Sequence, residues 1–328
     1  MPARVGIPST LLYYLYFPMW ETFFQNLGAE VVTSGKTNKK ALDYGVKEAL
    51  ADACVPIKLY FGHILNLKEK GVDFLFCPRV VCLNAETTYC PKFLGLPDMI
   101  RHVLTDAPPL IDTRMDVREG PGALLRAYGE IGRVFGAQWP AILQAYWKAR
   151  RTWNRFYALL QAGWQPPEAM EMVKNKARPR IQKEKGELVF AVLGYPYLIH
   201  DQFISVGLLN KLHKMGIKTV TAENLPARSL VKQRDILDKR LFWTFSDLAY
   251  KATQFLLKNG GVDGIIHLTA FGCGPDAMLD KFMEMLIRQR SSIPFMSLTV
   301  DEHSGEAGVT TRLEAFADMV RRKKGAVA

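Results

Sequence analysis

The chain carries one pattern twice. ARVGIPS at 3–9 reads as a short strand ending in Gly6-x-Pro8, and FAVLGYPYL at 190–198 as a strand ending in Gly194-x-Pro196. In each case a helical stretch follows, then a second strand entered through a glycine: LGAEVVTS through Gly28 and MGIKTVTA through Gly216. The step from Gly6 to Gly28 equals the step from Gly194 to Gly216. Gly71-Val72-Asp73 introduces FLFCP, and Gly261-Val262-Asp263 introduces GIIHL, at an offset of 190. Pro109, Asp116 and Gly120 find Pro294, Asp301 and Gly305 at an offset of 185. Four ordered blocks at nearly constant offset imply two homologous lobes.

Each lobe alternates short apolar strands with helical stretches, the pattern of a parallel sheet with crossover helices. The expected fold is α/β: two similar flavodoxin- or Rossmann-like lobes with parallel sheets, joined by a helical segment. The expected boundaries are 1–120 for the first lobe, 121–186 for the helical linker and 187–328 for the second lobe. Ligands of such sheets bind beyond the carboxyl ends of the strands. Both Gly-x-Pro turns, Cys77-Pro78 and the loop around Cys273 belong to those edges. Neither lobe has a Gly-x-Gly-x-x-Gly fingerprint or a Gly-x4-Gly-Lys-Ser/Thr loop.

A net charge of +11 is concentrated in mid-chain, in Arg150, Arg151, Arg155, Lys174, Lys176, Arg178, Arg180, Lys183 and Lys185. Such a cluster attracts phosphorylated cofactors, nucleic acid or an acidic protein. No nucleic-acid motif accompanies it, so no nucleic-acid partner is expected. The same region holds Trp139, Trp147, Trp153 and Trp164, read as helix aromatics packing on the sheets; a subunit interface, and with it a homo-oligomer, is the alternative. LLYYLYFPMW at 11–20 is too short to span a bilayer and is broken by Pro18, so no membrane partner is expected. Five unevenly spaced cysteines and the lack of a signal-like leader point to a cytoplasmic protein with reduced thiols.

Three cysteines sit in turns just ahead of a proline: Cys54 in ACVP, Cys90 in YCPK and Cys273 in FGCGPDAM. Proline favours the first turn of a helix, which places each thiol at a helix N-terminus. There the dipole and free N–H groups favour the thiolate, and Asp276 suits a first turn. Cys77 and Cys82 end apolar runs and read as small hydrophobes. Three dispersed thiolates lack the Cys-x2-Cys pairs of a zinc ribbon. They could serve a catalytic cysteine with a histidine elsewhere, or an iron–sulfur cluster fed from separate loops. Spacing alone does not choose.

The segments GIPSTLLYYLYFPMWETFFQNLGAEVV, DACVPIKLYFGH, YCPKFLGLPDMIR, GCGPDAM and DEHSGEAGVTTRLEAF resemble the acyl-CoA dehydratase activase-related family. That family is kin to 2-hydroxyacyl-CoA dehydratase subunits, benzoyl-CoA reductases and double-cubane-cluster proteins. The resemblance covers nearly the whole chain. It implies a [4Fe-4S] cluster between the two lobes, held by Cys54, Cys90 and Cys273, and low-potential reduction of a small molecule or acyl-CoA-like ligand. It also implies a separate ATP-dependent activase as electron donor, since no ATPase module is present. His200, Asp201, Glu302 and His303, on the same sheet edges, are the candidate proton donors; hydrogen bonding that tightens the loops is their other role. Arg79 and Lys92 are candidates to offset a cluster's charge. A non-catalytic electron-transfer or partner subunit is the competing function, and a zinc-bound or metal-free binding protein the third.

Overall fold

The computed structural model describes residues 1–176, 187–233 and 240–325. They form two compact units, the first built mainly from residues 1–159 and the second mainly from the described residues beyond 187.

In the first unit β1 (Arg4–Ile7), α1 (Tyr13–Asn26) and β2 (Glu30–Thr33) are followed by α2 (Lys39–Glu48) and α3 (Val55–Glu69). Then come β3 (Phe74–Phe76), β4 (Arg79–Cys82), α4 (Pro91–Leu94), α5 (Leu96–Val103), β5 (Leu110–Ile111) and β6 (Arg114–Asp116). The main sheet is parallel, in the order β2-β1-β3-β5. Pro78, which has no N–H to give, separates β3 from β4. The ladder resumes as β4 beside β6, with Cys77 N–H on Ile111 O and Arg79 N–H on Thr113 O.

Three helices complete this part of the chain: α6 (Ala123–Val134), α7 (Trp139–Gln161) and α8 (Pro166–Lys174). They group with the first unit, apart from residues 160–165. Trp153 accounts for much of the attachment, donating its indole N–H to Leu15 O at 3.0 Å and stacking on Tyr16. Tyr128 of α6 meets Phe23 of α1 edge-on. Trp139 and Trp147, by contrast, stay exposed. Arg178, Arg180, Lys183 and Lys185 of the basic cluster lie outside the described residues.

The second unit runs β7 (Leu188–Gly194), α9 (Pro196–His200), α10 (Leu208–Lys214), β8 (Ile217–Val220), α11 (Ala227–Val231) and α12 (Thr244–Asn259). It ends with β9 (Gly264–Ala270), α13 (Gly274–Arg290), β10 (Phe295–Val300) and α14 (Glu306–Gly325). Its parallel sheet is ordered β8-β7-β9-β10. Read from the second strand, both sheets follow the flavodoxin-like sequence 2-1-3-4, with the switch point between first and third strands. The expected pair of similar parallel α/β lobes is what the chain forms.

The repeated residues repeat because they do the same job twice. Gly28 and Gly216 follow the last turn of α1 and α10 with φ of 81° and 73°, the left-handed cap that glycine tolerates best. Asp73 accepts the Arg4 N–H at 2.7 Å and returns its own N–H to Arg4 O; Asp263 does the same with Val189. The carbonyls of Pro109 and Pro294 accept from Leu75 and Ile265. Asp116 and Asp301 each accept the N–H two residues ahead, closing the turn after the last strand. One difference emerges. The aspartate pins β1 at Arg4 and β7 at Val189, yet the Gly-x-Pro turns come two and five residues later. The seven-residue β7 is therefore three residues longer than β1.

Among the described residues, no helix is long and apolar enough to cross a membrane.

Candidate functional site

Cys54, Cys90 and Cys273 occupy the N-cap positions of α3, α4 and α13, each with a proline in the first two helical positions. All three have extended backbone, the conformation of an N-cap residue, ahead of the open N–H groups of the first turn. None of the five cysteines is in a disulfide.

Cys54 and Cys90 are neighbours within the first unit. Lys92, two residues after Cys90, donates its ammonium to the carbonyl of Asp52, two residues before Cys54, at 2.9 Å. Burial pushes the Cys90 thiol up, and the nearby Cys54 adds to that. The Phe93 and Lys92 N–H groups and the Lys92 charge pull it the other way. Two sulfurs thus share one edge of the sheet, with helix N-termini and a cation around them. Arg79 is engaged elsewhere, in a two-pronged pair with Asp98 and a bond to Leu94 O. Beside these helices, Pro8, Leu11, Trp20, Tyr60, Phe76 and Phe93 line a small apolar pocket at the carboxyl ends of β1 and β3, the switch point of the sheet. Leu11 holds a φ of 53° there, a conformation that costs a branched residue energy.

Cys77 and Cys82 are wholly buried, in line with their reading as small hydrophobes. Burial drives the Cys77 thiol up to about 12, against the opposing Tyr60 hydroxyl. A raised pKa of this kind leaves Cys77 in its protonated, unreactive form.

Cys273 belongs to the second unit and is half-buried. Like Cys90, it caps the helix that follows the third strand. The two are counterparts in the duplicated fold, a correspondence the sequence hides. Their separation of 183 residues falls outside the 185–190 offset of the other blocks, because a longer loop with its own Asn84 turn precedes Cys90. At the offset of 190, Cys54 corresponds to Thr244, which opens α12. The second unit therefore has one helix-capping cysteine where the first has two.

Beneath the Cys273 turn lies a group that sequence reasoning did not find. His267, fully buried on β9, has Nδ1 2.7 Å from Asp280 Oδ1 and Nε2 3.2 Å from Asp276 Oδ1. The two carboxylates stand one turn apart on α13, and Asp276 is fully buried. Burial opposes a charge on His267, but the two carboxylates outweigh it and carry its pKa up to about 9. Asp276 suits a first turn, but the sequence does not pair it with a histidine one strand back.

The first unit has a neutral histidine instead. Ser34 Oγ accepts the Ser9 N–H at 2.8 Å and stands 2.7 Å from His63 Nδ1, while His63 Nε2 is 3.0 Å from Thr37 Oγ1, so a neutral ring can donate at one nitrogen and accept at the other. Burial, with the Lys70 charge, lowers the His63 pKa to about 4. The unfolded value is about 6.5. The stability this gives is complete above pH 6.5 and is lost as the pH falls toward 4. The His63 ring resonance is expected to titrate near pH 4 in proton NMR; titration near 6.5 would refute the neutral, buried network.

His200 and Asp201 follow α9 and are both buried. His200 Nε2 stands 3.4 Å from Glu223 Oε2; burial raises the Glu223 pKa, but the His200 contact, together with bonds from the Thr221 side chain and the backbone, brings it below its ordinary value. Asp201 accepts the N–H groups of Phe203 and Ile204, closing its own turn. Glu302 and His303 occupy the turn after β10, where His303 N–H bonds Asp301 and its ring is exposed. All four lie at carboxyl ends of strands in the second unit. Among the described residues, no group of three or more His, Cys, Asp or Glu side chains is arranged around one metal-ion position.

The model of the CoA enzyme activase uncharacterised domain matches residues 4–225, well over half of the chain. The chain belongs to that family. The matched span includes both Gly-x-Pro turns, Cys54, Cys90, His200 and Asp201, and ends before Cys273. The family name ties the chain to CoA-enzyme activase systems. No curated protein matches. Among solved structures, a similar one is the periplasmic solute-binding protein of an ABC transporter from Actinobacillus succinogenes 130z, with bound D-allose. Identity is 14%, over 98% of this chain and 92% of that one, with a TM-score of 0.21. A score that low supports no inference, and the fold rests on the strand order.

Proposed function

We propose that this chain is an iron–sulfur protein. Cys54, Cys90 and Cys273 would hold a [4Fe-4S] cluster, and the protein would reduce a small molecule with electrons from a separate ATP-dependent activase. The observation that carries this reading is the shared setting of the three thiols. Each caps a helix at a sheet edge, and two of them, Cys54 and Cys90, sit together beside Lys92. The donor set fits: thiolates are the ligands of such clusters, and helix N-termini and a lysine offset their charge. With three protein ligands, the group would supply single electrons at low potential and one iron open to a ligand.

The chain's own residues would manage protons and position. His200, steadied by Glu223, would hold a proton at Nε2, and exposed His303 would exchange one with solvent. Asp201 and Glu302 would set the turns that carry them. The engagement of the Asp201 carboxylate in its own turn favours the second reading, an electron-transfer or partner subunit without chemistry of its own.

Anaerobic purification followed by iron and sulfide analysis tests the cluster. About four irons per chain are expected, with a paramagnetic signal on reduction. Cys54→Ala, Cys90→Ala and Cys273→Ala should each lose most of the iron, while Cys77→Ala keeps it. Stoichiometric zinc without iron would overturn the proposal. Turnover with reductant, activase and candidate acyl-CoA ligands separates the catalytic reading from the relay.

A further inference from the structure

The solvent side of α7 is not used by anything described so far. Trp139, Leu143 and Trp147 recur at helical spacing and are 42%, 36% and 59% exposed. Arg150 and Arg151 continue the exposed face toward the helix C-terminus. The opposite side, including Ile142, Tyr146 and Ala149, is buried in the first unit. Along its 23 residues α7 carries four cations and no carboxylate. The Trp139 ring is held in place, packed against Gly129 with the Arg133 guanidinium 5.5 Å from its centre.

We infer that this face of α7 is a docking surface for an anionic lipid bilayer, on which the protein rests without spanning it. Two observations select that occupant. A helix that carries cations and no carboxylate calls for a negative partner, and the net charge of +11 draws the whole molecule toward one. Two such faces repel each other, which disfavours a second copy of the chain. Exposed tryptophans beside arginines match the headgroup layer, where an indole buries its ring and keeps its N–H wet. Among the described residues no helix is long and apolar enough to cross a membrane, and lying on the surface requires none.

The test uses the full-length protein and vesicles of phosphatidylglycerol and phosphatidylcholine in equal parts. At low salt the protein should co-sediment with them, and its tryptophan emission should shift to shorter wavelength. High salt, or vesicles of phosphatidylcholine alone, should abolish both effects. Neutralising Arg150→Gln and Arg151→Gln together should weaken partitioning roughly thirtyfold, about fivefold for each charge near the surface. Trp147→Ser should remove most of the emission shift and weaken binding about tenfold. Unchanged melting curves show that these variants fold. The inference is overturned if anionic vesicles do not bind, or if the variants bind as the parent does. Equal affinity for soluble polyglutamate, without an emission shift, would assign the face to an acidic protein and overturn it too.

Discussion

Replacing Gly62 with alanine is expected to destabilise the protein by about 3–5 kcal/mol, more than an ordinary overpacking. Helices α2 and α3 cross at two reciprocal glycines. A Cβ on Gly62 would stand 1.7 Å from the Ala41 carbonyl oxygen, and one on Gly45 1.8 Å from that of Lys58. Both obstacles are backbone, so no side chain can rotate away; one helix must move. Because Cys54 caps α3, that movement reaches the thiol directly. At ~2–4 °C per kcal/mol for a domain of this size, the loss corresponds to roughly 10 °C in melting temperature. Gly28→Ala is the control. Gly28 has open space around it, so only its left-handed φ of 81° is penalised, and the cost should be about 1 kcal/mol. Thermal melts followed by circular dichroism compare the two. Equal melting temperatures would show that the helices do not depend on this close approach.

Neither glycine announces itself in the sequence. A glycine inside a helical pattern signals only a propensity penalty, and its reason lies in a helix it meets through tertiary packing. The repeat was legible for the opposite cause. Gly28, Gly216, Asp73 and Asp263 act on backbone within one turn or one strand pair, so geometry fixes both residue type and spacing. Where the lobes diverged by insertion, spacing failed. The three additional residues of β7 and the Cys90–Cys273 correspondence emerge only when strands are paired. Proline placed the three cysteines at helix starts because it constrains the chain locally. The Lys92 bond to Asp52 and the His267 group were hidden, because their partners are remote or belong to a different element.

The His267 group gives the other large effect. His267→Gln removes the histidine between two buried carboxylates and leaves Asp276 and Asp280 without its charge. Breaking a buried pair in this way costs about 3–5 kcal/mol. Asp276→Asn should cost less, because His267 keeps Asp280, and the double variant should recover part of the loss. The pH dependence distinguishes charge from shape. The folded pKa of about 9 lies above the ordinary histidine value, so the folded state holds the proton more tightly. That stability is complete below about pH 6.5 and is lost as the pH rises through 9. The groups facing His267 are Asp276 and Asp280; Ser297 and the Lys281 charge also help to keep Asp280 ionised. Denaturant unfolding of the parent should therefore show a loss between pH 6.5 and 9 that His267→Gln lacks. Parallel pH profiles for the two proteins would mean that the ring is neutral and the pair is not ionic. Asp276 lies in the first turn of α13, so the same substitution should loosen the Cys273 turn. Faster alkylation of Cys273 by iodoacetamide, at a pH where the variant remains folded, is the expected local sign.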